Sequence, residues 1–232
     1  MNRPPRYAFP PLPLPALSVR GTDELMPVHR IYCVGRNYAE HAREMGHDPD
    51  REPPFFFQKN PDNLVPDGGE FPYPPLSHDV HHELEMVVAL REGGRDIPVE
   101  RALDHVFGYA VGLDMTRRDL QGEAKKLGRP WEVGKAFEHS APCSAVVRAS
   151  EIGHPDKGRV WLEVNGETRQ SGDLSQLIWK VPEMIAYLSR LFTLRPGDLI
   201  YSGTPAGVGA VKRGDRLHGG VDGVGEIRIT VV

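Results

Sequence analysis

Cysteine is scarce. The chain of 232 residues has two, Cys33 and Cys143. Two thiols allow one bridge at most, so no disulfide framework holds this fold, and both are expected to be reduced and in or near the core. Long apolar runs are missing too, and none approaches the length that spans a bilayer. The start is rich in proline and lacks the apolar centre of a secretory signal. The expectation is a cytoplasmic protein with no membrane partner. Nor is there an excess of basic charge: 28 Lys and Arg stand against 32 Asp and Glu, a formal net charge of −4. The basic residues are scattered rather than striped, so no nucleic acid is expected as a partner. What the chain has in quantity is Gly (25) and Pro (22). That argues for many turns and short strands and against a helical bundle. The length suits one large domain, or one with a small appendage.

The stretch around which the chain is organised is HHELEMVVAL, His81 to Leu90, which turns from polar to continuously apolar within a few residues. It predicts a strand over 81–91. Glu83 and Glu85 are two apart, so on a strand they share a face. Carboxylates leading into a buried run need compensation, and a divalent ion is the simplest. The competing reading is an edge strand that shows both glutamates to water. Val106 to Leu113, VFGYAVGL, is a second apolar strand, whose Gly108 and Gly112 suggest curvature or close approach. It runs into Asp114, a third carboxylate at a polar strand exit. All-oxygen ligation suits Mg²⁺, Mn²⁺ or Ca²⁺ rather than structural zinc. One of His81 and His82 is a candidate to support such a site. Three protein oxygens leave positions for water and a bidentate substrate, for which a 2-oxo acid or 1,3-dicarbonyl is the natural partner.

Elsewhere the signals are local. Residues 1–15 are too rich in proline for a regular element and read as an arm anchored by Phe9, Leu12 and Leu14. After a strand at His29 to Val34, Asn37 is placed to cap a short helix, with Glu40 in the capping-box position and Gly46 to end it. His41 and Glu44 share a face of that helix. They are either a general base with its carboxylate or an ordinary surface pair. Phe55 to Lys59 reads as a strand, and Lys59 either points into a cleft or closes a solvated edge. Residues 60–76 read as a loop with one short strand at best, and Val99 to His105 as a short helix. Thr116 is placed to cap a helix, with Asp119 in the box position. Arg118 and Gln121 share its face, and Arg118 either grips an anionic substrate or pairs with Asp119 or Glu123. Lys135 lies between apolar residues and should reach a polar site or solvent. Asn165-Gly166 predicts a type I′ hairpin. Asp173 starts a further element, and Pro182 opens a helix to Phe192 with Met184, Ile185, Leu188 and Leu191 as its core face. The loop GTPAGVG is neither a P-loop nor a dinucleotide fingerprint, and no Gly-x-Ser-x-Gly elbow is present.

The order and spacing of several motifs resemble the fumarylacetoacetate hydrolase family. They are YCVGRNYAEHAREMG (32–46), HHELEMVV (81–88), GYAVGLDMTRRDLQ (108–121), KKLGRPWEVGKAF (125–137), VNGETRQ (164–170) and SGTPAGVG (202–209). The resemblance implies a mostly β fold with a rolled mixed sheet and a few short helices, assembled as a homodimer. It implies an N-terminal arm and lead-in over 1–25 and a catalytic domain over 26–232, with a lid around 36–54. Glu83, Glu85 and Asp114 match the family's Mg²⁺ or Mn²⁺ ligands. His41 and Glu44 match its water-activating dyad, and Lys135 its substrate-holding lysine. Arg118, Gln121 and Thr204 match substrate-pocket positions. The implied reaction is hydrolysis of a C–C bond in a β-diketo acid, with fumarylpyruvate of gentisate breakdown first among the substrates. General acylpyruvate hydrolysis and oxaloacetate decarboxylation are the alternatives. A non-catalytic small-molecule binding protein with a structural ion is the reading from another class.

Overall fold

Leu84–Leu90 is buried at every position and lies near the middle of an eight-stranded mixed sheet. The computed structural model describes residues 6–44 and 52–232. In order across that sheet run Phe55–Lys59, Arg30–Gly35, Asp198–Tyr201, Leu84–Leu90, Val106–Leu113, Ala141–Cys143 and Leu64–Pro66, with Val147–Arg148 also paired to Val106–Leu113. Asp198–Tyr201 runs parallel to Arg30–Gly35 and antiparallel to Leu84–Leu90. The sheet curls as a half-barrel. Because both of its faces are covered, its central strands carry unbroken apolar runs. Leu84, Met86, Val88 and Leu90 face a large core shared with a five-stranded sheet and the helix Val181–Leu191. Val87 and Ala89 face a smaller core with Ile31, Cys33, Leu199 and Tyr201. Each fully buried aliphatic side chain there contributes on the order of 1.5–3 kcal/mol. Gly112 is required on this face, because a Cβ would meet the Tyr201 ring at 2.6 Å.

The five-stranded sheet runs Glu167–Asp173, Arg159–Val164, Arg216–Val221, Gly225–Val231 and Glu70–Phe71. Its first hairpin turns at Asn165 (φ 54) and Gly166 (φ 82), the two left-handed residues of a type I′ turn. A small third sheet joins Thr116–Arg117, Val80–His82 and Gly209–Ala210. Both cysteines are buried and free. No helix among the described residues is long and apolar enough to cross a membrane.

The structure corrects several local expectations. The single strand expected over 81–91 is two, Val80–His82 and Leu84–Leu90, in different sheets, and Glu83 sits at the break. Residues 60–76 hold two short strands, Leu64–Pro66 and Glu70–Phe71, each recruited by a distant partner. Thr116 starts a short strand rather than capping, and the helix Arg118–Lys126 begins at Arg117 without a side-chain cap. Asp119 instead accepts hydrogen bonds from Ser77 Oγ and the His78 amide. Asn37 does not serve as a cap: its amide bridges the backbone of Trp179 and Ser202, ahead of the helix Ala39–Glu44. The stop expected at Gly46 lies outside the described residues, as does the middle of the 36–54 lid. Leu191, assigned to the core, is 53 % exposed at its helix end. Phe9, Leu12 and Leu14 do not anchor the arm, since all three are more than two-thirds exposed in the single chain.

Candidate metal centre and active site

The three carboxylates arrive from three backbone features. Glu83 occupies the break between two sheets, Glu85 lies one residue into the following strand, and Asp114 leaves the end of Val106–Leu113. The Asp114 amide donates to the Glu83 carbonyl at 2.8 Å, which ties the two strand exits together. The carboxylate oxygens converge to within 4.8 Å of one another, and all three residues are buried.

Cations hold two of these charges. Lys135, from the short helix Glu132–Lys135, places Nζ 2.9 Å from Glu83 and 2.6 Å from Asp114, and donates to Thr116 Oγ1 at 2.7 Å. Arg118 pairs with the other oxygen of Glu83 and donates to Gln121 Oε1 at 2.8 Å. Burial would raise the Glu83 carboxyl, but Lys135, Arg118 and His41 outweigh it and hold it well below the usual range. Burial lowers Lys135, but Asp114 and Glu83 leave it raised on balance. Glu85 is different. Among the described residues it has no ion-pair partner, and its clearest donor is the Gly203 amide at 2.7 Å. Burial, then Asp114 and Glu83, push its carboxyl well above the usual range. Asp114 Oδ1 also lacks a hydrogen bond, though Lys59 Nζ approaches to 2.9 Å. A close ion pair without hydrogen-bond geometry explains both observations. The cluster therefore lacks positive charge on the side of Glu85. A hard divalent cation with oxygen ligands fits that deficit.

Lys59 points inward and is buried beside Asp114, without lining the pocket itself, and it also donates to the carbonyls of Met115 and Lys135. Its direction is not legible locally because those partners lie 56 and 76 residues away. Its one signal was a lysine closing an apolar strand. Thr204 lines the pocket that holds the three carboxylates, and its hydroxyl donates to the Leu84 carbonyl and accepts from Gln170. Gln170, which sequence reasoning missed, also accepts from the Leu84 amide and contacts His82. Neither His81 nor His82 has a hydrogen bond to the three carboxylates. They bond Asp79 and Gln170, and burial pushes His82 down to about 4, keeping it neutral.

His41 lies in the pocket with the carboxylates, and its Nδ1 is 3.3 Å from Glu44 Oε2. Glu44 also accepts from the Gly207 amide at 3.2 Å, so it docks this helix onto the glycine-rich loop. The segment's other end is tied where the Trp179 indole donates to the Glu52 carbonyl. Eight of the nine site residues expected from the sequence thus line this pocket, and the ninth, Glu44, reaches it through His41. The pocket's further lining comprises Val34, Gly35, Arg36, Phe55, Phe57, Lys125 and Trp131.

The profile described as Fumarylacetoacetate (FAA) hydrolase C-terminal matches residues 30–232. A crystal structure of fumarylpyruvate hydrolase from Pseudomonas aeruginosa, in complex with Mn²⁺ and pyruvate, superposes with a TM-score of 0.96 at 55 % identity, covering 98 % of this chain and 99 % of that one. The fumarylpyruvate hydrolase of a Ralstonia species is 47 % identical over 180 residues, 78 % of this chain and 93 % of that protein. The mitochondrial oxaloacetate tautomerase of Rattus norvegicus is 46 % identical over 201 residues, 87 % of this chain and 90 % of that protein.

Proposed function

The chain belongs to the fumarylacetoacetate hydrolase family, and from that premise we propose that it hydrolyses a C–C bond in a β-diketo acid. The substrate is fumarylpyruvate and the products are fumarate and pyruvate. The observation that carries this reading is one pocket that brings the buried carboxylate cluster together with Arg118, Lys135 and the His41–Glu44 pair. Glu83, Glu85 and Asp114 hold Mg²⁺ or Mn²⁺. When bound, the ion supplies a Lewis acid that polarises an oxo group and stabilises negative charge as it develops.

The chain's own residues do the rest. A proton on His41 Nδ1, directed at Glu44, leaves Nε2 as the free base. Nε2 takes a proton from water, whose oxygen adds to the carbonyl carbon of the acyl group. Arg118, with two of its five N–H donors spent on Glu83 and Gln121, is the donor available to the resulting oxyanion. Lys135, whose three N–H donors go to Glu83, Asp114 and Thr116, holds the carboxylates in place. On collapse the C–C bond breaks and its electron pair leaves with the pyruvyl carbon. His41 returns its proton to that carbon, and the acyl carbon departs as fumarate. Gln121 fixes Arg118, and Thr204 borders the end of the pocket that takes the pyruvyl carboxylate. The reading extends to a cytoplasmic homodimer acting in gentisate breakdown.

A second reading rests on the 46 % identity to the rat tautomerase. There the same His41–Glu44 pair would move a proton between carbon and oxygen without adding water. The test compares kcat/KM for fumarylpyruvate, acetylpyruvate and oxaloacetate in Mn²⁺-loaded protein, following pyruvate release and enol–keto exchange separately. Release from fumarylpyruvate, abolished by EDTA, is the expected result. Exchange of oxaloacetate without release from any substrate would favour the tautomerase, and inactivity on all three would leave a binding protein. Glu83→Ala should lose Mn²⁺ affinity and activity together.

A further inference from the structure

We propose that the rim of this pocket carries a second anion subsite, built by Arg36 and Lys125 on an aromatic platform, which takes the far carboxylate of a dicarboxylic acyl group. The inference rests on the hydrolase reading and narrows its substrate class to acylpyruvates whose acyl group ends in a carboxylate.

Both cations line the pocket that holds Glu83, Glu85 and Asp114. The carboxylates are buried, whereas Arg36 and Lys125 are half-buried, so they stand nearer the mouth. Among the described residues neither has a carboxylate partner. Each is instead held by a ring: the Arg36 guanidinium lies 5.3 Å from the Phe55 centroid, and Lys125 Nζ lies 5.1 Å from that of Trp131. Trp131 packs edge-on against Phe55 at 5.4 Å and touches Phe57 at 5.7 Å, so the three rings form one wall. Ring faces orient a cation but do not neutralise it. Gly35 makes the platform possible, since a Cβ there would lie 2.1 Å from the Phe55 ring. The next residue, Arg36, has φ 56, a left-handed backbone unusual for arginine. That conformation is maintained beside the pocket, where backbone strain clusters when it serves a site.

The charge balance points the same way. Three acids in the lining face four Lys and Arg side chains, Arg36, Arg118, Lys125 and Lys135, besides the His41 imidazole and before any divalent ion is added. Arg118 and Lys135 are paired with the carboxylates, which leaves Arg36 and Lys125 as the free charge. Burial, followed by the positive charges of Arg118, Arg36 and Lys135, pushes Lys125 down to about 8, with Glu83 opposing. A lysine so placed gains most from an anion that the protein does not supply. One carboxylate of the substrate is used at the pyruvyl end. A flat, unsaturated acyl chain lying along the aromatic wall would bring a second one to the rim.

The test uses Mn²⁺-loaded protein and two independent readouts. In the first, the ratio of kcat/KM for fumarylpyruvate over acetylpyruvate should fall about 10–100-fold in Arg36→Met and in Lys125→Met, mainly through KM. In the wild type that ratio should decline as pH rises through about 8, and Lys125→Met should flatten the decline. In the second, calorimetry compares fumarate with crotonate, the isostere that has a methyl group in place of one carboxylate. Fumarate should bind the wild type at least tenfold more tightly, and the two variants should erase the difference. Equal binding of fumarate and crotonate to the wild type would overturn the subsite even if hydrolysis is found. Preference for fumarate without C–C cleavage would instead sustain the subsite and overturn the hydrolase reading. Variants that lose both substrates in equal proportion would also overturn the subsite. Arg36→Lys should restore part of the selectivity.

Discussion

Glu85→Gln should make the metal-free protein more stable while destroying its metal site. The substitution keeps the side chain's shape and an oxygen that can accept from the Gly203 amide at 2.7 Å. What it removes is a buried negative charge that faces two others within 4.8 Å. At that separation two unit charges repel by about 3.5 kcal/mol at an effective dielectric of about 20. Lys135 and Lys59 offset much of this through Asp114, and Lys135 and Arg118 through Glu83. None of them is paired with Glu85 itself. A net gain of about 1–2 kcal/mol is in keeping with removal of a functional charge, or about 2–8 °C in Tm for a chain of this size. The sign with pH is defined. The folded-state carboxyl of Glu85 is raised above its ordinary value of 4.5, so the wild type bears its penalty above that pH. Below it both states are protonated, and the difference between variant and wild type should vanish. Thermal unfolding in EDTA at pH 7 and pH 4, with Mn²⁺ titration by calorimetry, supplies the measurements. If the variant in EDTA is less stable than the wild type at pH 7, or still binds Mn²⁺ with native affinity, the account of the cluster as charge-deficient is wrong.

Three further outcomes follow from the same geometry. His41→Ala should lower kcat about 10²–10⁴-fold with Mn²⁺ affinity retained, and substantial residual hydrolysis would remove His41 as the base. Lys59→Met leaves Asp114 short of a buried partner and should cost about 3–5 kcal/mol in denaturant titrations run in EDTA. Saturating Mn²⁺ should recover part of that loss, and a loss under about 1 kcal/mol would show that Lys59 compensates little. Gly207→Ala puts a side chain at φ 94 and a Cβ 2.1 Å from the Arg169 carbonyl oxygen. It should displace the amide that Glu44 accepts from, lowering kcat more than the Tm shift explains. Unchanged kinetics would show that this contact does not position the dyad.

Some features of this molecule are local enough to be read from the chain. The run after Glu85 is apolar at consecutive positions because both faces of its strand are covered, and that pattern is visible in the residues themselves. The Asn165-Gly166 hairpin needs two left-handed residues in a row, which few dipeptides supply. Three acids at the ends of apolar strands likewise leave a signature. Other features depend on what the fold brings from afar. Asn37 has the composition of a cap, but its amide finds better partners at Trp179 and Ser202. Thr116 has the same local appeal, yet its hydroxyl serves Lys135. The short strands at Leu64–Pro66 and Glu70–Phe71 acquire their conformation from sheets already built elsewhere. The Arg36–Lys125 rim was invisible for the same reason, since its members join only when Phe55 and Trp131 pack edge to face.

The break at Glu83 has a mechanical consequence. The residues before it belong to the small sheet with Thr116–Arg117 and Gly209–Ala210, and those after it to the large sheet. Glu83, Glu85 and Asp114 thus gather at a seam between two sheets, so an ion bound to them acts as a cross-link. Such a link has no counterpart while the sheets are undocked, and it stabilises only the assembled state. Its strongest effect should fall on the rate at which the seam opens. Metal loading would then set the lifetime of the fold as well as the competence of its active site.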